Sequence, residues 1–261
     1  MFVDNVSSWV LRKLKSIGDI PEIIECFVGL RYSCVVVEGR AGKSLGLALT
    51  PIEDIQGVQV KPAYVPKTES LLDLVASLNS LEKVLGIALL NALSAYLLHV
   101  IGYKGDIDIY KEGIFDVVTR MAKEPIVVVG NMMPLVNRLK EVGIKDITVI
   151  ERNPCIRCGV AFSDIAASRV IPTARTLIVT GATLVNDTID HILNLATDKA
   201  KVILVGPTAA LHPEPAFKMG IHAIASLKPM NIDAVIQIIK LGGNRWDFTK
   251  YCKEYVVIPR S

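Results

Sequence analysis

Apolar positions recur along this chain with two different periods, and the change from one to the other divides it. In residues 3–17, Val6, Val10, Leu14 and Ile17 are spaced by four, four and three, which predicts an amphipathic opening helix ended by Gly18. From residue 25 to 51 the pattern becomes runs of Val, Tyr and Cys broken by glycine, which predicts two or three antiparallel strands with a turn at 38–44. Pro62 and Pro66 make residues 52–66 a connector. Two helices follow, at about 70–78 and 80–99, the second with Ser80 or Asn79 as its N-cap. Within it, VLGIALLNALSAYLLHVI (84–101) is apolar nearly all round and reaches the lower end of membrane-spanning length. Asn91, Ser94 and His99 interrupt that run and no strong basic flank orients it, so it reads as a buried core helix.

Residues 102–113, GYKGDIDIYKEG, hold three glycines and mixed charges without an apolar period, and they read as a boundary. The expected division is 1–110 and 111–261. Beyond it, β-branched runs ending at Gly130, Glu151, Gly181, Gly206 and Ser226 alternate with helices, among them about 114–123, 134–142 and 232–241. Such alternation indicates a parallel sheet covered on both faces. The fold class is therefore α/β, a Rossmann-like C-terminal domain preceded by a smaller α+β domain. The tail WDFTKYCKEYVVIP (246–259) fits either domain.

Composition narrows the classes. A hydrophobic share of 51% with 21% charged residues describes a folded core, and 261 residues suffice for one large domain or two ordinary ones. Lys and Arg number 29 against 26 Asp and Glu, too even a balance to point to nucleic acid. The first residues lack a basic leader followed by an apolar core, which predicts a cytoplasmic protein with no membrane partner. Its five cysteines are then expected to be reduced.

Candidate chemistry concentrates at strand ends. In a parallel sheet the loops after the strands share one edge, where ligands bind. Gly130 and Asn131 occupy a strand-to-helix turn where glycine lets a ligand approach, although the full GxGxxG pattern is missing. Glu151 ends the next strand, 21 positions after Gly130, where Rossmann domains place an acid for ribose hydroxyls; Arg152 beside it is the alternative partner, and Asn153 follows. Thr180, Gly181, Thr183, Asn186 and Thr188 offer hydroxyls, an amide and backbone N–H groups. The proline-stiffened loop Gly206, Pro207 and Thr208 runs on to His212 and Glu214, and His212 suits metal or proton chemistry. GRAGKS (39–44) lacks the first glycine of a phosphate loop and lies between strands, so it reads as a hairpin. Cys155 and Cys158 form a single CxxC, short of a four-ligand zinc site even with Cys252 to spare. No serine-nucleophile elbow, HExxH helix or kinase set occurs.

Taken together, GN at 130–131, ERNP at 151–154, TGATLVNDTID at 180–190 and GPTAALHPEPAF at 206–217 resemble the "putative heavy-metal chelation" family, a domain of unknown function. GIALLNALS at 86–94 resembles the end of that family's companion N-terminal domain. The resemblance implies an enolase N-terminal-like domain, a Rossmann-like domain and a cleft between them. Asp187 stands where the family often has glycine, and Thr208-Ala209-Ala210 where a serine-containing turn is usual. The expectation is a protein binding a small anionic ligand or metal complex in that cleft, with Glu38 and Asn91 contributed by the first domain. A divalent metal would meet Glu151 and His212. The alternative is an enzyme holding an adenosyl cofactor, nucleotide or methyl donor, over Gly130 and Glu151. A third reading makes the polar edge the interface of a homo-oligomer.

Overall fold

A computed structural model describes residues 1–55, 64–157, 159 and 161–260. The chain opens with helix α1 (Phe2–Ile17), which buries Val6, Val10 and Leu14 on one face. Ile17 stays exposed because Gly18, at φ 75°, turns the chain away there. Three antiparallel strands follow, β1 (Glu22–Phe27), β2 (Tyr32–Gly39) and β3 (Gly42–Leu49). Gly39 pairs with Gly42 across a two-residue loop, so GRAGKS is a hairpin, with Lys43 3.6 Å from Glu38 across it.

Helices α2 (Leu71–Ala76) and α3 (Ser80–Ala95) come next, and α3 continues as a π-helical turn over Tyr96–Ile101. Asn79 caps α3, its side chain accepting from the N–H groups of Leu81 and Glu82. From Lys83 to Ala95 every residue of α3 except Leu85 is buried. An all-round apolar sequence is what such a position selects. The helix presses so closely on β3 that a Cβ added to Gly46 would lie 2.0 Å from the Ala88 oxygen and 2.2 Å from the Ala92 nitrogen.

The remaining elements are β4 (Ile107–Tyr110), α4 (Ile114–Met121), β5 (Ile126–Val129), α5 (Met133–Glu141), β6 (Ile147–Glu151), β7 (Ala161–Ser163), α6 (Ala167–Val170), β8 (Thr176–Thr180), α7 (Ala182–Val185), α8 (Ile189–Leu195), β9 (Lys201–Val205), α9 (Pro213–Phe217), β10 (Ala223–Pro229), α10 (Ile232–Lys240), α11 (Arg245–Phe248) and β11 (Cys252–Pro259). The eleven strands among the described residues give an α/β architecture, with eight in one sheet of order β4-β11-β10-β9-β8-β5-β6-β7. From β10 to β7 all neighbours run parallel. The tail joins this sheet as β11, antiparallel to both β10 and β4, so the sheet is mixed rather than wholly parallel. Strand β4 comes from the glycine-rich stretch read as a boundary; four residues of IDIY are too few to show a period.

Polar ties join the two sheets. The fully buried Asn91 of α3 donates from Nδ2 to the carbonyls of Leu47 and Thr208, each at 2.8 Å, and Leu49 N–H donates to Thr208 Oγ1 at 2.9 Å. Asn91→Ala strands two carbonyls in the core, and the expected loss is about 2 kcal/mol, read from urea unfolding. The backbone N–H of Phe2 donates to Asp190 at 2.8 Å. Asp187 takes the left-handed conformation, φ 57°, which glycine adopts without strain. Its carboxylate pairs with the buried Lys83 of α3, a contact glycine could not make.

Candidate functional site

The large sheet reverses its winding between β5 and β8: the chain moves from β5 outward through β6 to β7, then returns to β8 and continues to β9 and β10 on the other side. At such a switch point the two outgoing loops diverge and leave a crevice beyond the strand ends. A cavity of about 310 Å³ lies there. Gly130, Asn131, Glu151, Arg152, Asn153, Thr180, Thr183, Asn186, Thr188, Gly206 and Pro207 all line it. Its far wall comes from the small sheet and its connector, through Tyr32, Leu49 and Glu53.

Glu151 organises the floor. One carboxylate oxygen accepts from Asn131 N–H at 2.7 Å and the other from Asn153 N–H at 2.8 Å, so a single side chain at the end of β6 fixes the loops after β5 and β6. Gly130, at φ 103°, lies against Thr180; a Cβ there would fall 2.6 Å from the Thr180 methyl. Arg152 pairs with Asp54 and lies 3.5 Å from Glu53, which draws the connector after β3 over the cavity. The hydroxyls after β8 largely serve the loop itself: Thr183 donates to the Thr180 carbonyl at 2.8 Å, and Thr188 donates to the Asn186 side chain at 2.7 Å. Burial pushes the Tyr32 phenol up to about 12, so it faces the cavity as a neutral hydroxyl.

Other sequence candidates lie elsewhere. Gly181 faces the Thr208-Ala209 backbone, 2.5 Å from its nearest atom if a Cβ were added, and Thr208 is spent on β3 and Asn91. Asn91 likewise ties elements together and does not line the cavity. Glu38 is six residues along β2 from Tyr32, roughly 20 Å at strand rise, and lies at the opposite end of the small sheet from the cavity.

The expected metal pair is parted. Fully buried His212 stacks on Trp9 at 4.7 Å and on Tyr103 at 5.7 Å, away from the cavity that Glu151 lines. Its Nε2 meets the Tyr103 carbonyl at 3.1 Å while Nδ1 accepts from Glu214 N–H at 3.4 Å, which leaves no ring nitrogen for a metal. Burial lowers its pKa to about 4. Among the described residues no three His, Cys, Asp or Glu side chains gather as a metal site. Cys155 is exposed and Cys158 lies outside the described residues. Cys252 starts β11, five strand spacings from β6 or about 24 Å across the sheet. Burial lifts its thiol to about 12. These residues do not fit a bare heavy-metal ion, which favours several converging soft donors.

Residues missed in the sequence complete the walls: Tyr32, Glu53, Asp164, His191 and Arg245. Only His191 carried a local signal, one helical turn beyond Thr188 in the polar stretch. The others reach the cavity through long-range pairing that no local pattern announces.

A three-stranded antiparallel sheet set beside the switch point of a mixed, mostly parallel eight-stranded sheet defines an α/β protein with a cavity beyond the strand ends. The chain belongs to the family described as "Putative heavy-metal chelation": one family model with that description matches residues 113–258 and a second matches residues 12–94. An uncharacterized protein of Methanocaldococcus jannaschii is 31% identical over 98% of both chains. A solved Pyrococcus horikoshii protein of unknown function from this family superposes with a TM-score of 0.85 at 28% identity, covering 98% of this chain and 99% of that one. A Desulfitobacterium hafniense protein of unknown function shares the fold, with a TM-score of 0.73 at 19% identity and coverage of 96% and 98%.

Proposed function

We propose that this protein binds a small anionic ligand or a preformed metal complex in the switch-point cleft. The observation that carries the reading is the Glu151 latch. By fixing the loops after β5 and β6 with one carboxylate it preorganises a cavity with polar groups set in a largely apolar wall, in which a ligand need not order the chain. Heavy-metal chelation, the role in the family's description, then takes a specific form: the metal arrives with its own donors, because the walls supply too few. No reaction step is assigned to the metal. A cytoplasmic setting suits four described cysteines that are all free thiols.

The test uses chelator-stripped protein and compares a divalent metal alone with the same metal carried by excess citrate. At a hundredfold excess over Kd, binding stabilises by about 2.7 kcal/mol, roughly 5–10 °C in Tm for a chain of this size. The complex is expected to raise Tm and the bare ion to do much less. No rise with complexes of several divalent metals sinks the reading.

The second reading, an adenosyl cofactor over Gly130, is favoured by Glu151 ending the strand beside β5, where a ribose would lie. Calorimetric titration with adenosyl ligands separates the two. Any such binding should vanish in Glu151→Ala.

A further inference from the structure

Arg245 is a cation in the cleft wall that meets no acid among the described residues. It begins α11, immediately before the tail whose placement the sequence left open, and it lines the 310 Å³ cavity. Arg152, also in the lining, is committed to Asp54 and Glu53. Arg245 forms no ion pair among the described residues, and its buried Nε has no hydrogen-bond partner. The nearby carboxylate of Asp247 is occupied by the Asn244 N–H at 2.7 Å. A buried guanidinium nitrogen left without a partner is costly, and the planar fork that carries it is shaped for a carboxylate or phosphate.

Its surroundings indicate what would complete it. Arg245 also lines a second cavity of about 140 Å³, and Asn131, Met132 and Val205 are shared by both walls. The side cavity has an apolar side, formed by Phe115, Leu135 and the half-exposed Trp246. The Arg245 guanidinium carbon lies 4.5 Å from the centre of the Trp246 ring. Charge and flat apolar surface thus adjoin at the junction of the two cavities.

We propose that Arg245 is the anion-binding residue of the cleft: its guanidinium holds the carboxylate or phosphate of a small molecule whose apolar part lies against Trp246 in the side cavity. This rests on the cleft reading and adds the ligand's chemical class. The acid group neutralises a charge the protein leaves open, and the ring beside it selects a molecule with a flat apolar portion over a simple inorganic anion.

The test uses the full chain, free of metal, with benzoate, phenyl phosphate and inorganic phosphate as probes. Tryptophan emission and thermal shift are read together. At least one aromatic acid should bind saturably and more tightly than inorganic phosphate; which one tells whether the natural group is a carboxylate or a phosphate. Arg245→Gln should weaken that binding by about tenfold or more, and Arg245→Lys, a point charge without the fork, by less. Without any probe, Arg245→Gln should leave Tm nearly unchanged or raise it, since no ion pair or side-chain hydrogen bond is lost and the contact with the half-exposed Trp246 ring is a weak one; a residue with a merely structural role would lower it. Trp246→Phe should abolish the emission change while leaving the thermal shift. Equal probe affinity in wild type and Arg245→Gln overturns the proposal. So does the failure of every probe to saturate; if the metal–citrate complex still raises Tm in that case, the cleft reading stands and the role given to Arg245 falls. Loss of both signals removes both.

Discussion

Gly46→Ala, one added methyl group, is expected to remove more than about 3 kcal/mol of stability, a large part of the roughly 5–15 kcal/mol that holds a domain of this kind together. The new carbon would lie 2.0 Å from the Ala88 oxygen and 2.2 Å from the Ala92 nitrogen. Both are backbone atoms of α3, so no side chain can swing aside. Relief requires lifting α3 off β3, which would disturb the packing of Ile87, Leu90 and the Asn91 bridge to Thr208. The measurement is urea unfolding followed by circular dichroism. Gly18→Ala is the control: its site is open space and the cost comes only from φ 75°, about 1–2 kcal/mol. Equal losses in the two variants would show that α3 does not seat on β3 as described.

Mild acid should unfold the protein through its buried histidines. Burial lowers both His212 and His99 to about 4 from an ordinary value of 6.5. Between those values the unfolded chain binds protons that the folded chain refuses, so stability falls as pH drops from about 6.5 toward 4 and is fully present above that window. For His212 the full shift corresponds to about 3 kcal/mol. Its surroundings explain why it resists charging. Trp9 and Tyr103 cover the ring, Lys13 lies over the Tyr103 ring at 3.6 Å, and a proton on Nδ1 would break the bond from Glu214 N–H. The Glu214 carboxylate and the Tyr103 carbonyl act the other way, and burial outweighs them. His99 packs against Tyr255 with Lys228 and Lys104 nearby, whose charges add to the burial. Tm measured from pH 7 to 4 should fall steeply, and His212→Gln should flatten the fall. A curve in that variant parallel to wild type would count against the assignment.

Both effects depend on contacts between segments distant in the chain, and a sequence discloses such contacts unevenly. The strands ending at Glu151, Thr180 and Val205 were legible because each is a continuous β-branched run closed by a polar or glycine residue. The convergence of their loops followed from parallel strands alone. Strand β7 escaped notice, since three residues, AFS, carry no period. His212 was legible as a functional residue type but not as a core residue. Its burial depends on Trp9, two hundred and three positions earlier, and on Tyr103.

By itself the sequence determined what depends on neighbours along the chain: the alternation of strands and helices, the α/β class, the hairpin at 39–42, the Asn79 cap and the polar character of the strand-end loops. Periodicity and capping act over a few residues, and the local pattern records them. Only the tertiary structure decided which of those polar groups face a ligand and which hold the protein together. Asn91, Thr208 and His212 are consumed by partners far along the chain, while Tyr32 and Arg245 are carried into the cleft by β2 and by the return of the tail. A side chain has few hydrogen bonds to give, and whether they are spent inside the core or left for a ligand depends on which distant segment packs against it.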